Sequence, residues 1–245
     1  MDTKQAVRIQ TSILNKAEKK LLEKIAHRLP VWVSSDMLTF TGTLGAIIIA
    51  AGYILSSKDL NFLWLASFGF LVNWYGDSLD GTLARVRHQQ SPKYGFFIDH
   101  NVDCINEALI FIGVGLSPLL RLDLALIAFC LYLMLSVYVY ISAHLKGEFK
   151  LTYGKMGPTE LRIAVVALNT VLALFKPIVS FKAEISLFGH PAALSILDIA
   201  AIALSLILLL FYLVGLVKDG KFYAAQEPAK NAGPSPNQGA AKNQD

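Results

Sequence analysis

Six stretches of this chain, at about 38 to 56, 61 to 85, 95 to 118, 122 to 144, 158 to 177 and 193 to 217, are strongly apolar. Each is near the length of about 20 residues that carries a helix across a bilayer. Hydrocarbon offers no water to peptide N–H and C=O groups, so such a chain has to close its hydrogen bonds within helices. The expected fold is all-α, a polytopic membrane protein with six transmembrane helices. With 54% hydrophobic and 16% charged residues among 245, the chain carries less charge than an ordinary soluble domain, and it reads as one membrane domain.

The ends differ from the middle. Leu14, Ala17, Leu21 and Ile25 recur at helical spacing while Lys16, Lys19, Lys20, Lys24 and Arg28 fall between them, which predicts an amphipathic helix lying in the interface and ended by Pro30. Residues 1–34 are thus expected to be a cytoplasmic segment with an interfacial helix, 35–220 the six-helix transmembrane domain, and 221–245, rich in Ala, Pro, Gly, Asn and Gln, a disordered tail. The first thirty residues are charged and hold no continuous apolar core, so no cleavable signal peptide is expected. With the amino terminus inside, eighteen of the 22 Lys and Arg residues fall in cytoplasmic segments; only Lys58, Arg121, Lys176 and Lys182 fall outside. That bias places both termini on the cytoplasmic side. The net charge of +4 comes from residues flanking spans instead of a basic stripe with interleaved aromatics, so membrane lipid is the expected partner and nucleic acid is not. Cys104 and Cys130 lack metal-type spacing and read as small packing residues.

Four carboxylates interrupt this apolar sequence. They lie in Asp77-Ser-Leu-Asp80-Gly81-Thr-Leu-Ala84-Arg85 and in Gly95-Phe-Phe-Ile-Asp99-His-Asn-Val-Asp103. Spacings of three and four put each pair on one face of a helix. The polar link Val86 to Tyr94, with its Ser91-Pro92 step, predicts a turn and an antiparallel helix hairpin, with all four acids about 6 to 12 Å below the helix ends. Such a set would not stay fully ionised by itself. Two divalent ions, Mg²⁺ or Mn²⁺, would neutralise it and form a two-metal phosphoryl-transfer site facing the cytoplasm. The plainer reading pairs the acids with Arg85, Arg87 or Lys93, but intramembrane acids are costly and usually functional.

These residues resemble the CDP-alcohol phosphotransferases, marked by Asp-x-x-Asp-Gly-x-x-Ala-Arg, eight or nine residues, then Gly-x-x-x-Asp-x-x-x-Asp; every fixed position matches. Ser35-Asp36-Met37-Leu38-Thr39-Phe40-Thr41-Gly42 is similar to the Pro-Asn-x-Leu-Thr-x-x-Gly lead-in of that family, with Ser35-Asp36 in place of Pro-Asn. The resemblance implies a CDP-linked donor, an alcohol acceptor and release of CMP. It implies metal ligation by Asp77, Asp80, Asp99 and Asp103, with Asp103 also taking the proton of the attacking alcohol. Gly81 and Ala84 would let the donor approach the backbone, or serve tight helix packing. Arg85 would bind phosphate, or act as an interfacial cation, and Gly95 would give room to donor or partner helix, or only shape the turn. Homodimerisation through membrane helices is carried over too.

The metal motif does not choose the donor. Compact length favours phosphatidyl transfer from CDP-diacylglycerol to a polar alcohol. Phe97 to Asp103 and Gly157-Pro158-Thr159-Glu160 are similar to segments of enzymes that use CDP-choline or CDP-ethanolamine with diacylglycerol. Candidate acceptor contacts are His100, Lys155, Glu160 and Arg162. His100 either meets substrate or hydrogen-bonds a neighbouring helix. Glu160 and Arg162 either grip substrate or pair with solvent or each other, and Asn73 either orients a ligand carboxylate or bonds between helices. Rival classes are an intramembrane prenyltransferase, which needs a second acidic motif, and an ion transporter, in which the Gly, Ala and Arg positions would have no task.

Overall fold

The computed structural model describes residues 7–9, 14–146, 148–150, 157–187 and 190–226. In chain order its elements are β1 (Val7–Ile9), α1 (Asn15–Ala26), α2 (Ser35–Leu55), α3 (Leu63–Val86), α4 (Pro92–Gly115), α5 (Leu122–Lys146), β2 (Glu148–Lys150), α6 (Pro158–Leu174), α7 (Lys176–Ser180), β3 (Lys182–Leu187), β4 (His190–Ser195) and α8 (Ile196–Gln226). Two short two-stranded pairs decorate an otherwise helical fold: β1 lies parallel to β2, and β3 pairs antiparallel with β4. Among the described residues α2, α5 and α8 are long and apolar enough to cross a membrane. Of the other three long helices, α3 and α4 are diluted by the site's own polar residues and α6 has only 17 residues.

The mast of the bundle is α2, packed against both α3 and α4. Its contact with α3 is nearly backbone on backbone. A Cβ on Gly52 would sit 2.8 Å from Ala66 Cα, and one on Gly69 would sit 2.7 Å from the Ile49 nitrogen. Gly42 and Gly76 face each other in the same stripe. Without a hydrophobic drive between helices in lipid, such close approach of small residues is what holds membrane helices together. A Cβ on Gly113 of α4 would likewise meet Ala50 Cα at 2.5 Å. The outer core gathers Ile49, Tyr53, Leu63, Ala66, Phe70, Leu119, Leu172 and Ala173. A second cluster holds α1 through Leu22 and Ala26 against Leu38, Leu79 and Leu83.

The turn between α3 and α4 is built differently from its sequence signals. His88 closes α3 in the left-handed conformation (φ 56°), with Gln89 N–H donating to the Ala84 carbonyl at 2.9 Å, a Schellman-type end usually given to glycine. Pro92 then opens α4 instead of preceding it, because the first helical position needs no N–H donor. The two helices do not pack closely on each other; both lean on α2, which leaves a space between them. At the far end Ser195 and Asp198 cap α8 reciprocally, and Asp198 Oδ1 accepts from Arg121 N–H at 2.9 Å, tying the starts of α5 and α8. The last helix runs on to Gln226, so 221–226 of the expected disordered tail are helical, while 227–245 lie outside the described residues.

Candidate functional site

Asp77 comes from α3, Asp99 and Asp103 from α4, and each presents an oxygen to the space between the helices such that all three lie within 4.8 Å of one another. None is fully buried. Two unit charges about 4 Å apart repel by about 4 kcal/mol at an effective dielectric constant near 20, so three ionised carboxylates require cations. One is on hand: Arg162, in the first turn and a half of α6, donates from Nη2 to Asp77 Oδ2 at 2.5 Å. A single guanidinium leaves the trio net negative, and a cluster of hard oxygen donors half open to solvent fits Mg²⁺ or Mn²⁺.

Asp80, expected as the fourth member, stands outside that trio, although it remains within electrostatic reach of Asp77 and Asp99. Its Oδ2 accepts from Thr39 Oγ1 at 2.7 Å and its Oδ1 from the Gly81 N–H, while Ser35 Oγ donates to its main-chain carbonyl at 3.0 Å. Thr39 and Ser35 are one turn apart on α2.

Gly81 is partly buried, and a Cβ there would touch Arg85 Nη1 at 3.4 Å. Ala84 is partly buried beside it. The Arg85 guanidinium reaches Thr82 Oγ1 at 2.9 Å along its own helix. Gly95 has nothing within 4 Å of where a Cβ would be, so packing does not demand a glycine there. The His100 ring lies tilted over Phe96, centroids 4.1 Å apart, and edge-on to Tyr140 at 4.7 Å, with Nδ1 3.7 Å from Asp99 Oδ2. Glu160 has structural partners: Oε2 accepts from Gly157 N–H at 3.0 Å and Oε1 from Leu14 N–H at 2.9 Å, so it caps α6 and ties it to α1. Glu18 strengthens that tie by accepting from Trp74 Nε1 and Thr159 Oγ1. Lys155 lies outside the described residues. Asn73 bonds between helices, donating to the Gly42 carbonyl at 3.0 Å.

Three features escaped the sequence. Arg87 donates to the carbonyls of Leu29, Pro30, Val31 and Val33, closing the loop after α1 onto the end of α3. Glu107 prolongs the Asp99–Asp103 stripe by one more turn, within electrostatic reach of Asp77 and hydrogen-bonding reach of Tyr132 on α5; the continued spacing of four was the available signal. Thr39 had only its place in the lead-in segment.

Comparison with known proteins gives the same direction as the geometry. The family model described as CDP-alcohol phosphatidyltransferase matches residues 32–214. Cholinephosphotransferase 1 of Gallus gallus is 26% identical over 185 residues, covering 69% of this chain and 54% of that protein. The archaetidylinositol phosphate synthases of Pyrococcus horikoshii and Methanothermobacter thermautotrophicus are 31% and 32% identical over 137 and 142 residues. Those matches cover 56% and 57% of this chain, and 69% and 68% of the two synthases. The chain thus spans about half of the cholinephosphotransferase and about two thirds of the archaeal enzymes. With the family match running over most of its length and enclosing all four motif aspartates, the chain belongs to the CDP-alcohol phosphatidyltransferase family.

Proposed function

We propose that this protein is a metal-dependent transferase that moves a phosphatidyl group from CDP-diacylglycerol to a polar alcohol and releases CMP. The observation that carries the reading is the convergence of Asp77, Asp99 and Asp103 within 4.8 Å across the space between α3 and α4. Those three residues, with Asp80 beside them, would hold two Mg²⁺ or Mn²⁺ ions. When bound, such ions supply Lewis-acid stabilisation of negative charge on pyrophosphate oxygens and on the leaving CMP. In the transfer the acceptor hydroxyl oxygen forms a bond to the phosphatidyl phosphorus, the bond from that phosphorus to the CMP oxygen breaks, and Asp103 takes the hydroxyl proton. Arg85 and the low-relief face made by Gly81 and Ala84 receive the donor, with Gly95 leaving room at the start of α4.

Arg162 supports a phosphorylated acceptor, because its guanidinium stands at the carboxylates where an anionic substrate would arrive and is suited to phosphate. Inositol phosphate, in the names of the archaeal relatives, is a case of that chemistry. His100 and Lys155 complete the proposed acceptor side. We place the active site and both termini at the cytoplasmic face, α1 in the interface, six helices across the bilayer (α2 to α6 and α8), residues 35–220 as the catalytic domain, and two copies in the working assembly.

The test is purified protein with Mg²⁺ or Mn²⁺, offered CDP-diacylglycerol with glycerol phosphate, serine or inositol phosphate, and in parallel CDP-choline or CDP-ethanolamine with diacylglycerol, with CMP as the readout. Metal-dependent CMP release with CDP-diacylglycerol, abolished in Asp103→Asn, is expected. Release only from the CDP-amino-alcohols would move the protein to the choline class, and release indifferent to chelator would defeat the metal reading.

A further inference from the structure

We propose that Thr39 is a positioning residue of the metal centre, its hydroxyl setting the plane in which the Asp80 carboxylate meets a cation. The proposal rests on the reading of Asp80 as a cation ligand. A carboxylate on a helix turns easily about its last torsion, whose energy profile is broad. Asp80 is held at both oxygens: Thr39 Oγ1 lies 2.7 Å from Oδ2 and the Gly81 N–H meets Oδ1. An ionised carboxylate has about four lone-pair positions, so two are taken and two are left for a cation.

Thr39 Oγ1 also lies 3.2 Å from the Ser35 carbonyl. It has one proton to give, and the shorter, charge-assisted contact to the carboxylate takes it. The β-branched threonine is stiff at its first torsion, so the hydroxyl is a fixed point if its helix is fixed. The glycine stripe fixes it. A Cβ on Gly42, three residues on from Thr39, would meet Asp77 N at 3.3 Å, and Gly76 lies against Gly42. The span from Thr39 to Asp80 is thus set by main chain against main chain. Ser35, one turn earlier, adds a second link at 3.0 Å to the Asp80 carbonyl. A residue on α2 that never enters the aspartate motif therefore aims one of its members.

The experiment uses the full chain in detergent, with Mn²⁺ as the probe, followed by electron paramagnetic resonance, and compares Thr39→Val, which keeps shape and loses the hydroxyl, with Thr39→Ser, which keeps the hydroxyl. Thr39→Val is expected to weaken Mn²⁺ binding by about 10- to 100-fold, the usual effect of removing a partner of a metal ligand, and Thr39→Ser to restore it. Half-saturation of CMP release by Mn²⁺ should shift by the same factor, with the rate recovered at high metal, and melting in chelator should stay at the parent value for both variants. Parental Mn²⁺ affinity in a folded Thr39→Val overturns the proposal. So does a Thr39→Val that melts as much lower in chelator as it does with metal, which would make the hydroxyl a packing bond between α2 and α3. Failure of the metal reading itself has a separate signature, since Asp77→Asn would then bind Mn²⁺ like the parent whatever Thr39 does.

Discussion

The contact between α2 and α3 makes Gly45→Ala the sharpest perturbation of this fold. A Cβ on Gly45 would stand 2.7 Å from Asn73 Cα and 2.9 Å from Asn73 Cβ. Carbon atoms rest comfortably at about 3.5–4.0 Å, so one methyl group forces the two helices about 1 Å apart. The obstacle is main chain on a packed helix, so no side chain can swing away. Overpacking of this kind costs about 1–3 kcal/mol. The Asn73 to Gly42 bond, 3.0 Å long and buried, would be stretched beyond bonding range, and a buried polar group left unmet adds about 1–3 kcal/mol. The larger effect is on function, because Asp77 and Asp80 ride on α3 while Asp99 and Asp103 ride on α4. A displacement of about 1 Å at a catalytic set can lower turnover about 100-fold. Thermal melting in detergent and CMP release at saturating Mn²⁺ would report the two effects. Gly220→Ala in α8, where a Cβ meets nothing within 4 Å, is the control and should be neutral or stabilising by up to about 1 kcal/mol. A Gly45→Ala protein that melts and turns over like its parent would refute the account of α2 as the reference for the site.

Glu160→Ala should lower stability by about 0.5–2 kcal/mol, the usual effect of losing a helix cap, and leave KM for the alcohol unchanged, since both carboxylate oxygens have main-chain partners; a raised KM with unchanged melting would return Glu160 to the acceptor site. Arg162→Gln removes a positive charge 2.5 Å from an Asp77 oxygen and should tighten Mn²⁺ binding. It should also raise KM for a phosphorylated acceptor about 10- to 100-fold, since a charge-assisted hydrogen bond contributes about 1.5–3 kcal/mol. Isothermal titration and initial rates check both halves, and a KM unmoved by the substitution would remove Arg162 from acceptor binding.

Much of this was legible in one dimension because helices are periodic. Asp99 and Asp103, four apart on one helix, were bound to share a face, and the turn at the link was bound to bring them back toward Asp77. Apolar length likewise dictated helices at 35–55 and 122–146 to within a few residues, and the start but not the end of the last helix, which runs on to Gln226 past the apolar stretch. The same local logic left Glu160 open between a substrate and a partner in solvent or Arg162, and did not foresee the partners the fold gives it, Gly157 and Leu14, the latter 146 residues away in the chain.

By itself, then, the sequence determined the elements and the motif: which stretches are helical, which acids share a face, and that four carboxylates stand in apolar surroundings. Only the tertiary structure decided that α3 and α4 stand apart on a common mast, that Asp77 meets Arg162 and that Asp80 accepts a hydrogen bond from Thr39. The reason is range. Helical spacing constrains neighbours three or four residues apart, whereas Thr39 and Asp80 are separated by 41 positions and Asp77 and Arg162 by 85, and the first of these contacts depends on how closely glycine lets the backbones of α2 and α3 approach.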